Sequence, residues 1–568
     1  MTSDPIDLSP RARLSPTRLT ATHALVGALL LAAACGDDAM STTDSTTTAT
    51  TTGTSETSTT DDSTTTGATT DATTTTDATT TTTTTTTGET DSTTGEPAEY
   101  GGNIIIPELL QGTDFELVMD EGAHTFTEGG SPSATAGYNG GLLGPTMEWV
   151  KGETVSISLT NQMAGDSTTH WHGAHVSPAN DGGPHQMLAA GGGNWSPSFE
   201  VMNAAATMWY HPHLHEETAA QVLSGLSGFI IVRDDVEAAL DLPREYGVDD
   251  LPLVLQDKQL DASGVLQMGP PRGNTMTVNG AADAYREVPA QLVRLRLLNG
   301  SLEMAYHLEF DDGRSFSVIG NDLGLLEAPA SVTSLELAPG ERYEIVVDLS
   351  GDEGSAVTLR ALNTQLPMGV IGGTAPMMAG LEGTDFDVLR LDVLAPTDNA
   401  VASLPGSLVA PVIPSEAGAT PRSIVMAEAM LPEMGFTLNG EKMDMAVINE
   451  YVEENAVEIW TIEYTTPIAH PFDIHDIHFH VLDVDPDGDG PMPPQPPEDW
   501  QAGPKDTILV PGFGTVRFIG QFTDFANDPQ DGIADAAYMY HCHILPHEDG
   551  GMMGQFAVCP GSNPNCVP

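Results

Sequence analysis

Residues 538–553 read YMYHCHILPHEDGGMM, in which a cysteine is flanked by two histidines. If residues 540–543 form a β-strand, successive side chains alternate between its two faces. Cys542 then points to one face, while His541 and His543 point to the other. A thiolate on one face and two imidazoles on the other predict two adjacent metal sites that share one strand.

The residues after this strand can complete the sulfur-containing site. His547 and Met552 follow in what must be a loop or a short helix, so both can fold back toward Cys542. Two His, one Cys and a weak axial Met are the ligands of a blue-copper site, and this stretch offers three of the four. The remaining His must come from elsewhere in the chain. A buried cysteine beside chance histidines is the alternative, and the further histidine clusters described below disfavour it.

The charge of the chain is strongly negative. It has 19 Lys+Arg against 80 Asp+Glu, a formal net charge of −61. This balance argues against electrostatic binding to nucleic acid or to an anionic membrane surface. The acids are scattered rather than clustered, which favours a well-hydrated, salt-adapted surface over the attraction of cationic substrates or metal ions.

Residues 1–35 have the pattern of an export signal. Three arginines precede the apolar run ALVGALLLAAAC, which ends at Cys35 and is too short for a comfortable membrane span. The run also resembles a bacterial lipoprotein signal peptide, in which Cys35 is lipidated and anchors the mature protein at the outer membrane, the periplasm or the cell surface. Its leucine lies four residues before the cysteine instead of the usual three. Ordinary secretion is the alternative.

Two further segments fall outside the predicted globular part. Residues 36–98 are mostly Thr with Asp, Ser, Gly and Ala, so they cannot bury enough apolar surface to offset their ordering entropy. We expect a disordered linker whose Ser and Thr content permits O-glycosylation. Near the C-terminus, Cys559 and Cys566 predict a small disulfide-closed loop in an oxidising compartment, with two free thiols as the alternative.

From about residue 99 the sequence consists of short apolar runs separated by Gly, Pro, Asn and Asp. Residues 148–161, 291–299 and 457–463 each alternate like a strand pair, and long helical periodicity is absent. Their spacing of roughly 140–170 residues indicates three copies of one β-sandwich. We predict a signal peptide (1–35), a linker (36–98), three sandwich domains (99–236, 237–398 and 399–558) and a tail (559–568).

Three more histidine clusters lie in the first and last of these domains. They read HWHG (170–173), WYHPHLH (209–215) and HPFDIH (470–475). His-x-His on a strand directs both imidazoles to the same face, as two ligands of one polynuclear site require. One such pair could be accidental, whereas four clusters, one with Cys between its histidines, are a strong signal of a metal centre.

Over about residues 100–558 the chain resembles the three-domain multicopper oxidases, the family of laccases and bacterial cuprous oxidases. Further matches are QVLSGLSGFIIV (221–232), GNDLGLLE (320–327) and LAPGER (337–342). The resemblance implies an all-β chain of three consecutive cupredoxin-like Greek-key sandwich domains. It also implies that a donor is oxidised at a type 1 copper, and that dioxygen is reduced to water at a trinuclear site between the first and last domains.

The motifs carry the family's ligands over to numbered residues. The resemblance implies one type 1 copper, one type 2 copper and two type 3 coppers. The type 1 ligands would be His470, Cys542, His547 and axial Met552; the type 3 ligands His172, His211, His213, His475, His541 and His543; and a type 2 ligand His170. An axial Met keeps the type 1 potential modest, which favours easily oxidised donors.

One position departs from the family motif, His-Pro-x-His-x-His. Its middle His, the second type 2 ligand, is Asp473 here. A carboxylate can bind Cu(II), so Asp473 is a candidate ligand of a harder, more anionic site. Weak binding or loss of the type 2 ion is the alternative. His478 and His480 have the opposite strand parity to Asp473, so we do not expect them to replace it.

Reduction of dioxygen to water consumes protons, so acids are needed beside the cluster. By resemblance, Asp181 and Glu548 occupy positions where the family has carboxylates near its trinuclear site. The alternative is that both are ordinary loop acids of a very acidic protein.

The sequence leaves the donor open. Met residues recur at 368, 377, 378, 426, 430, 434, 443 and 445, and soft thioethers suit Cu(I). They are spread through the chain and also serve as core fillers, so phenols or aromatic amines over His470 and His547 are equally compatible. We expect a monomer that uses O2 and a small reducing substrate. A copper-tolerance protein with an impaired type 2 site and little turnover, and a scaffold without turnover, are the two alternatives.

Overall fold

The computed structural model describes residues 102–561 except 270, 375–378, 429–434, 489 and 528–531. The predicted signal peptide, Cys35, the linker and Cys566 lie outside the described residues, as do Met377, Met378, Met430 and Met434. Cys559 is disulfide-bonded, and its pairing with Cys566 remains a prediction. Within the described ranges, no helix is long and apolar enough to cross a membrane.

The first sandwich consists of two facing sheets. Its strands are β1 (Leu109–Leu110), β2 (Asp114–His124), β3 (Ser133–Tyr138), β4 (Thr146–Val150), β5 (Thr154–Asn161), β6 (His170–His172), β7 (Gly193–Trp195), β8 (Ser198–Glu200), β9 (Ala206–His211) and β10 (Gly228–Arg233). One sheet has the order β1-β4-β10-β9-β6, and the other has the order β3-β2-β5-β7 with β8 paired to β5. Residues 148–161 cover the end of β4 and the whole of β5, so two strands form there as predicted, but they lie in different sheets and do not pair with each other. In β5 alternate side chains are buried, as the sequence alternation predicts.

The second sandwich has a larger sheet. Its strands are β11 (Asp250–Lys258), β12 (Thr275–Val278), β13 (Ala281–Ala282), β14 (Tyr285–Pro289), β15 (Leu292–Asn299), β16 (Tyr306–Phe310), β17 (Phe316–Asn321), β18 (Gly324–Val332), β19 (Ser334–Leu337), β20 (Arg342–Asp348), β21 (Ala356–Leu362) and β22 (Asp385–Leu394). The sheet orders are β13-β12-β11-β15-β20-β17-β18 and β14-β22-β21-β16-β19.

The third sandwich contains β23 (Thr420–Glu428), β24 (Phe436–Leu438), β25 (Glu450–Glu453), β26 (Val457–Tyr464), β27 (His470–Ile474), β28 (Phe479–Asp485), β29 (Thr507–Val510), β30 (Thr515–Gln521), β31 (Tyr538–Cys542) and β32 (Met553–Cys559). The sheet orders are β24-β23-β26-β30-β28 and β25-β32-β31-β27-β29. The α-helices are short: α1 (Thr218–Ser224), α2 (Asp235–Ala238) and α3 (Leu545–Asp549). The 3-10 turns include Pro178–Asn180, Asn363–Gln365, Asp499–Gln501 and Ile533–Asp535.

The prediction of an all-β chain of three sandwiches is confirmed, and two local predictions are wrong. Residues 291–299 and 457–463 each belong to a single strand, β15 and β26, instead of a strand pair. In β15 even the charged side chains are buried, because the first sandwich and α2 cover that face. Arg296 donates a hydrogen bond to Thr207 on β9, and Arg294 donates one to Glu237 on α2. The predicted boundaries at 236 and 398 fall between the three sets of strands and remain predictions.

Candidate metal centres

The two histidine clusters of the first sandwich lie on neighbouring strands. β6 carries His170 and His172 and pairs antiparallel with β9, so that His170 lies opposite His211. His213 follows two residues beyond the end of β9. All four imidazoles are buried. Strand pairing therefore gathers them in one place.

The third sandwich repeats this arrangement with β27 and β31. These strands are antiparallel, and Asp473 lies opposite His541. His475 and His543 each follow directly after the end of their strand, so the predicted strand over 540–543 ends one residue early, at Cys542. Beyond it the chain forms α3, the short helix that the sequence allowed for His547.

The clusters of the first and third sandwiches meet face to face. His213 Nε2 lies 3.2 Å from His541 Nε2. The rings of His170 and His475 stack with centroids 3.8 Å apart. Segments more than 250 residues apart along the chain thus contribute to one buried centre.

Six imidazoles of this centre form two groups of three. In each group the candidate ligand atoms all lie within 4.8 Å of one another. One group, named triad A, contains His172, His211 and His543, and the other, named triad B, contains His213, His475 and His541. Each triad has one imidazole from the segment that surrounds Cys542.

The sulfur of Cys542 lies in a third group, next to the two triads and named the sulfur group. Cys542 groups with His470 and His547, whose facing nitrogens, Nε2 and Nδ1, are 2.8 Å apart. The thiol sulfur is 4.0 Å from His547 Nδ1 and accepts a hydrogen bond from the Ile544 N–H at 3.3 Å. Met552 is fully buried, and its carbonyl accepts a hydrogen bond from the Cys542 N–H. Two His and one Cys are three of the four ligands of a blue-copper site, and Met552 as the axial ligand remains a prediction.

His170 and Asp473 both lie beside the triads, in different candidate groups. His170 groups with Asp181 and His475 within ligand distance. Asp473 groups instead with His172, and the distance from Asp473 Oδ1 to His172 Nε2 is 3.3 Å. Its other oxygen, Oδ2, lies 3.1 Å from His541 Nε2 and 3.8 Å from His475 Nε2, so it faces triad B.

Several buried polar atoms of the centre lack a hydrogen-bond partner among the described residues. They include His170 Nε2, His475 Nε2 and both ring nitrogens of His543. Leaving such atoms unpaired in a dry interior is costly, and bound cations relieve the cost. The donor set, imidazoles with one thiolate and one thioether, suits copper.

Family models described as multicopper oxidase match residues 121–237, 254–362 and 418–562. Multicopper oxidase mco of Staphylococcus epidermidis is 34% identical over 475 residues, 80% of this chain and 92% of that protein. The chain belongs to the multicopper oxidase family. Copper is therefore its cofactor, and the resemblance seen in the sequence is confirmed.

Other relatives of this multicopper oxidase include both a cell division protein and further oxidases. Cell division protein FtsP of Edwardsiella tarda is 34% identical over 467 residues, 80% of this chain and 93% of that protein. A bacterial laccase-like multicopper oxidase from the lignin-degrading bacterium Ochrobactrum sp. superposes with a TM-score of 0.70 at 33% identity, covering 80% of this chain and 100% of that one. McoA of Aquifex aeolicus gives 0.69 at 29% identity, with coverages of 80% and 99%. The cupredoxin-like fold of the sandwiches is thereby confirmed.

Burial keeps most of the imidazoles of this multicopper oxidase neutral. Desolvation lowers the pKa of His211 and His475 to about 3 and that of His470 to about 4. It also lowers the pKa of His172 well below its usual value, and the nearby Arg342 guanidinium adds to the effect. His541 is the exception, because Glu548 and Asp473 outweigh desolvation and raise its pKa to about 9. A neutral imidazole has the free lone pair that a copper ion needs.

Asp181 and Glu548 lie on the outer side of the imidazoles. Asp181 Oδ2 is 2.8 Å from His475 Nδ1. Glu548 Oε1 is 3.3 Å from His213 Nδ1, and Glu548 Oε2 is 3.4 Å from His541 Nδ1. Burial raises the pKa of Asp181 well above its usual range and that of Glu548 to about 8, although His541 opposes both shifts.

Sequence reasoning missed the residues behind His172. Asp506 and Thr507 contact its Nε2, and Arg342 of the middle sandwich holds Asp506. Arg342 ends the family-like stretch LAPGER, but nothing in the spacing of that stretch connects it with a histidine 170 residues earlier. His478 and His480 join none of the candidate groups within the described residues, as their strand parity predicts.

Proposed function

We propose that this protein is a copper-dependent oxidase that couples one-electron oxidation of a small donor to reduction of dioxygen to water. The observation that carries the proposal is the position of Cys542. It belongs to the sulfur group, and the residues before and after it, His541 and His543, belong to triads B and A. One short backbone segment therefore links the site suited to accept electrons to both triads.

The proposed ligands are those that the motifs imply. His470, Cys542, His547 and Met552 would hold a type 1 copper, triads A and B the type 3 pair, and His170 a type 2 copper. Copper bound there supplies one-electron redox chemistry at the sulfur site and reduction of dioxygen at the polynuclear site. The protein contributes a dry cavity and neutral imidazoles at fixed positions.

We further propose Asp473 as a carboxylate ligand of the polynuclear site. Its Oδ2 is buried and lies 3.1 Å from His541 Nε2 and 3.8 Å from His475 Nε2. Atoms at these separations can bind the same ion, because Cu–N and Cu–O bonds are about 2 Å long. Since this oxygen faces triad B, the type 2 ion would depend mainly on His170, and we expect it to bind weakly.

Glu548 and Asp181 are the proposed proton donors to the polynuclear site. A Glu548 whose pKa is about 8 carries a proton at neutral pH, directly behind His213 and His541. The Thr218 hydroxyl donates a hydrogen bond of 2.8 Å to Glu548 Oε1, which fixes the carboxyl group in this position. Asp181 has the equivalent position behind His475.

The donor would approach through His547, which is 8% exposed, whereas His470 is fully buried. The ring centroids of Phe436 and His547 are 3.9 Å apart, so an aromatic donor that approaches His547 would contact the Phe436 ring. The Ochrobactrum relative is described as active toward lignin model compounds. Met426 is a core side chain with no exposure, which leaves fewer thioethers for Cu(I). We propose phenolic donors first and Cu(I) second.

The test is oxygen uptake by the copper-loaded protein with a phenol, Cu(I) and Fe(II) as separate donors. We expect uptake with the phenol, and loss of uptake with every donor in Cys542→Ser. Absence of uptake with all three donors, despite full copper content, would refute the proposal.

A second candidate function is copper binding without turnover. Relatives at 34% identity are named as cell division proteins, and Asp473 alters the type 2 site. Asp473→His separates the two candidates. If it restores type 2 copper and starts oxygen uptake in an otherwise inactive protein, the wild type is a copper-binding protein.

We also propose that the protein is exported, on the basis of the arginines and apolar run that end at Cys35. Incorporation of an acyl label that is lost in Cys35→Ser, with release of the unlabelled globular part from the membrane by proteolysis within the linker, would establish the lipid anchor. Unlabelled, freely secreted protein would contradict it.

A further inference from the structure

We infer that Arg342, in the middle sandwich, is a positioning residue that fixes the imidazole of His172 for metal binding. The inference shares one assumption with the proposed function, which is that triad A binds copper. None of the triad residues comes from the middle sandwich, yet this sandwich lies directly behind two of them. Gly340, two residues before Arg342, packs against the ring of His543.

Arg342 has no solvent exposure, and polar groups surround its guanidinium. Its Nη1 and Nη2 donate to the two carboxylate oxygens of Asp506 at 2.7 and 2.6 Å. The same guanidinium donates to the carbonyls of Gly340, Asp322 and Thr207 at 2.9, 3.1 and 3.3 Å. Asp506 belongs to the third sandwich and Thr207 to the first, so this one side chain holds all three sandwiches together.

Asp506 carries the restraint to the histidine. Its Oδ1 lies 3.5 Å from His172 Nε2 and 2.9 Å from the Thr507 hydroxyl. That hydroxyl lies 3.3 Å from His172 Nε2 and 2.9 Å from Asp473 Oδ1. The Thr507 hydroxyl donates to Asp506 Oδ1 or Asp473 Oδ1, and Asp473 Oδ1 itself lies 3.3 Å from His172 Nε2. Carboxylate oxygens only accept hydrogen bonds, so these surroundings favour a proton on Nε2.

The position of the proton decides which nitrogen is free for a metal. With Nε2 protonated, the lone pair of His172 is on Nδ1. Nδ1 lies 3.4 Å from His211 Nε2, inside triad A. The partner of the second ring nitrogen commonly sets the tautomer and orientation of a ligating His, and removing such a partner costs about 10- to 100-fold in metal affinity.

Arg342 holds both carboxylate oxygens of Asp506 through two separate N–H groups, and this bidentate contact fixes the orientation of the carboxylate. A lysine in this position could reach one oxygen and would leave the carboxylate free to rotate. Rotation would move Oδ1 away from His172 Nε2 and weaken the preference for the Nδ1 lone pair.

Arg296 provides a matched control within the same protein. It is equally buried, pairs with both oxygens of Asp250, and donates to the side chain of Thr207, whose carbonyl Arg342 contacts. Its carboxylate partners, Asp250 and Glu344, have no imidazole among the contacts described for them. Loss of the bidentate contact of Arg296 thus affects stability without affecting a metal ligand.

The experiment compares Arg342→Lys and Arg296→Lys, which both keep the buried cation. Copper affinity of the folded protein is measured by competition with a chelator, and copper occupancy at each position by anomalous scattering. The tautomer of His172 is read in the metal-free protein from nitrogen shifts after 15N-histidine labelling.

We expect Arg342→Lys to weaken copper binding at triad A by about 10- to 100-fold and to populate the Nδ1–H tautomer of His172. Arg296→Lys should keep wild-type affinity and tautomer. Equal effects of the two variants, or none, would overturn the inference. If Arg342→Lys does not fold, Asp506→Asn, which keeps the shape of the carboxylate, should give the same loss at triad A, and wild-type binding by that variant would equally overturn it. Absence of copper from triad A in the wild type would instead refute the proposed function.

Discussion

Replacement of Gly340 by alanine should damage the copper centre from a position that binds no metal. Gly340 lies in the middle sandwich with φ +84°, in the left-handed region that favours glycine. A Cβ atom there would lie 2.7 Å from Cγ, 2.8 Å from Cδ2 and 2.9 Å from Nδ1 of His543. All three distances are shorter than real Cβ contacts, so the buried His543 ring would have to shift.

The magnitude follows from two separate terms. An alanine with left-handed φ costs about 1–2 kcal/mol. Overpacking against the imidazole adds about 1–3 kcal/mol. Gly354, in a turn of the same sandwich, has φ +80°, and a Cβ atom added there would have no other atom within 4 Å, so Gly354→Ala carries the first term alone. The expected difference between the two variants in the free energy of unfolding is therefore about 1–3 kcal/mol.

The assay is denaturant unfolding of both variants in the metal-free state, followed by copper stoichiometry after reloading. Gly340→Ala should lose the larger free energy and also lose copper at triad A, whereas Gly354→Ala should retain full copper content. If the two variants unfold at the same denaturant concentration and bind equal copper, the contact between Gly340 and His543 has no energetic role.

Three further predictions concern single groups. Cys542→Ser should abolish the blue absorption while copper at the two triads is retained; loss of all copper would show that the sites are not separate. Glu548→Gln should keep copper content and lower turnover by about 100-fold or more, because an amide cannot pass on a proton; unchanged turnover would exclude Glu548 as the proton donor. His175, in the first sandwich, lies 2.8 Å from Asp476 in the third, and this carboxylate outweighs desolvation and raises the pKa of His175 to about 9. Burial also raises the pKa of Asp476 to about 6, so both partners are charged only between about pH 6.5 and 9, and the ion pair is lost as pH rises through 9. His175→Asn should therefore lower stability by about 1–3 kcal/mol at about pH 7.5 and by clearly less at pH 10. Equal losses at both pH values would contradict the ion pair.

Local sequence patterns predicted the all-β fold and the histidine segments that meet in the structure, although not every strand. Alternation over residues 154–161 matches β5, in which every second side chain is buried, whereas β4, in the other sheet, is mostly buried. The same alternation over 291–299 wrongly predicts a strand pair, because Arg294 and Arg296 look like a solvent face in sequence. In the structure their charges are buried against carboxylates of other elements.

The contacts that orient the histidines could not be predicted from the sequence. His-x-His spacing places two imidazoles on one face, but it does not indicate which ring nitrogen faces the metal. For His172 that choice depends on Asp506 and on Arg342, which lie 334 and 170 residues away in the chain. Long-range contacts of this kind leave no periodic signal. The direction in which Asp473 faces, toward His541, likewise depends on the pairing of β27 with β31.

Anomalous scattering at the copper edge from crystals of the copper-loaded protein shows whether the cysteine and the imidazoles hold separate copper ions. We expect one peak among His470, Cys542 and His547, and separate peaks within triads A and B. Copper at the sulfur group without copper at the triads, or copper bound elsewhere, would contradict this expectation.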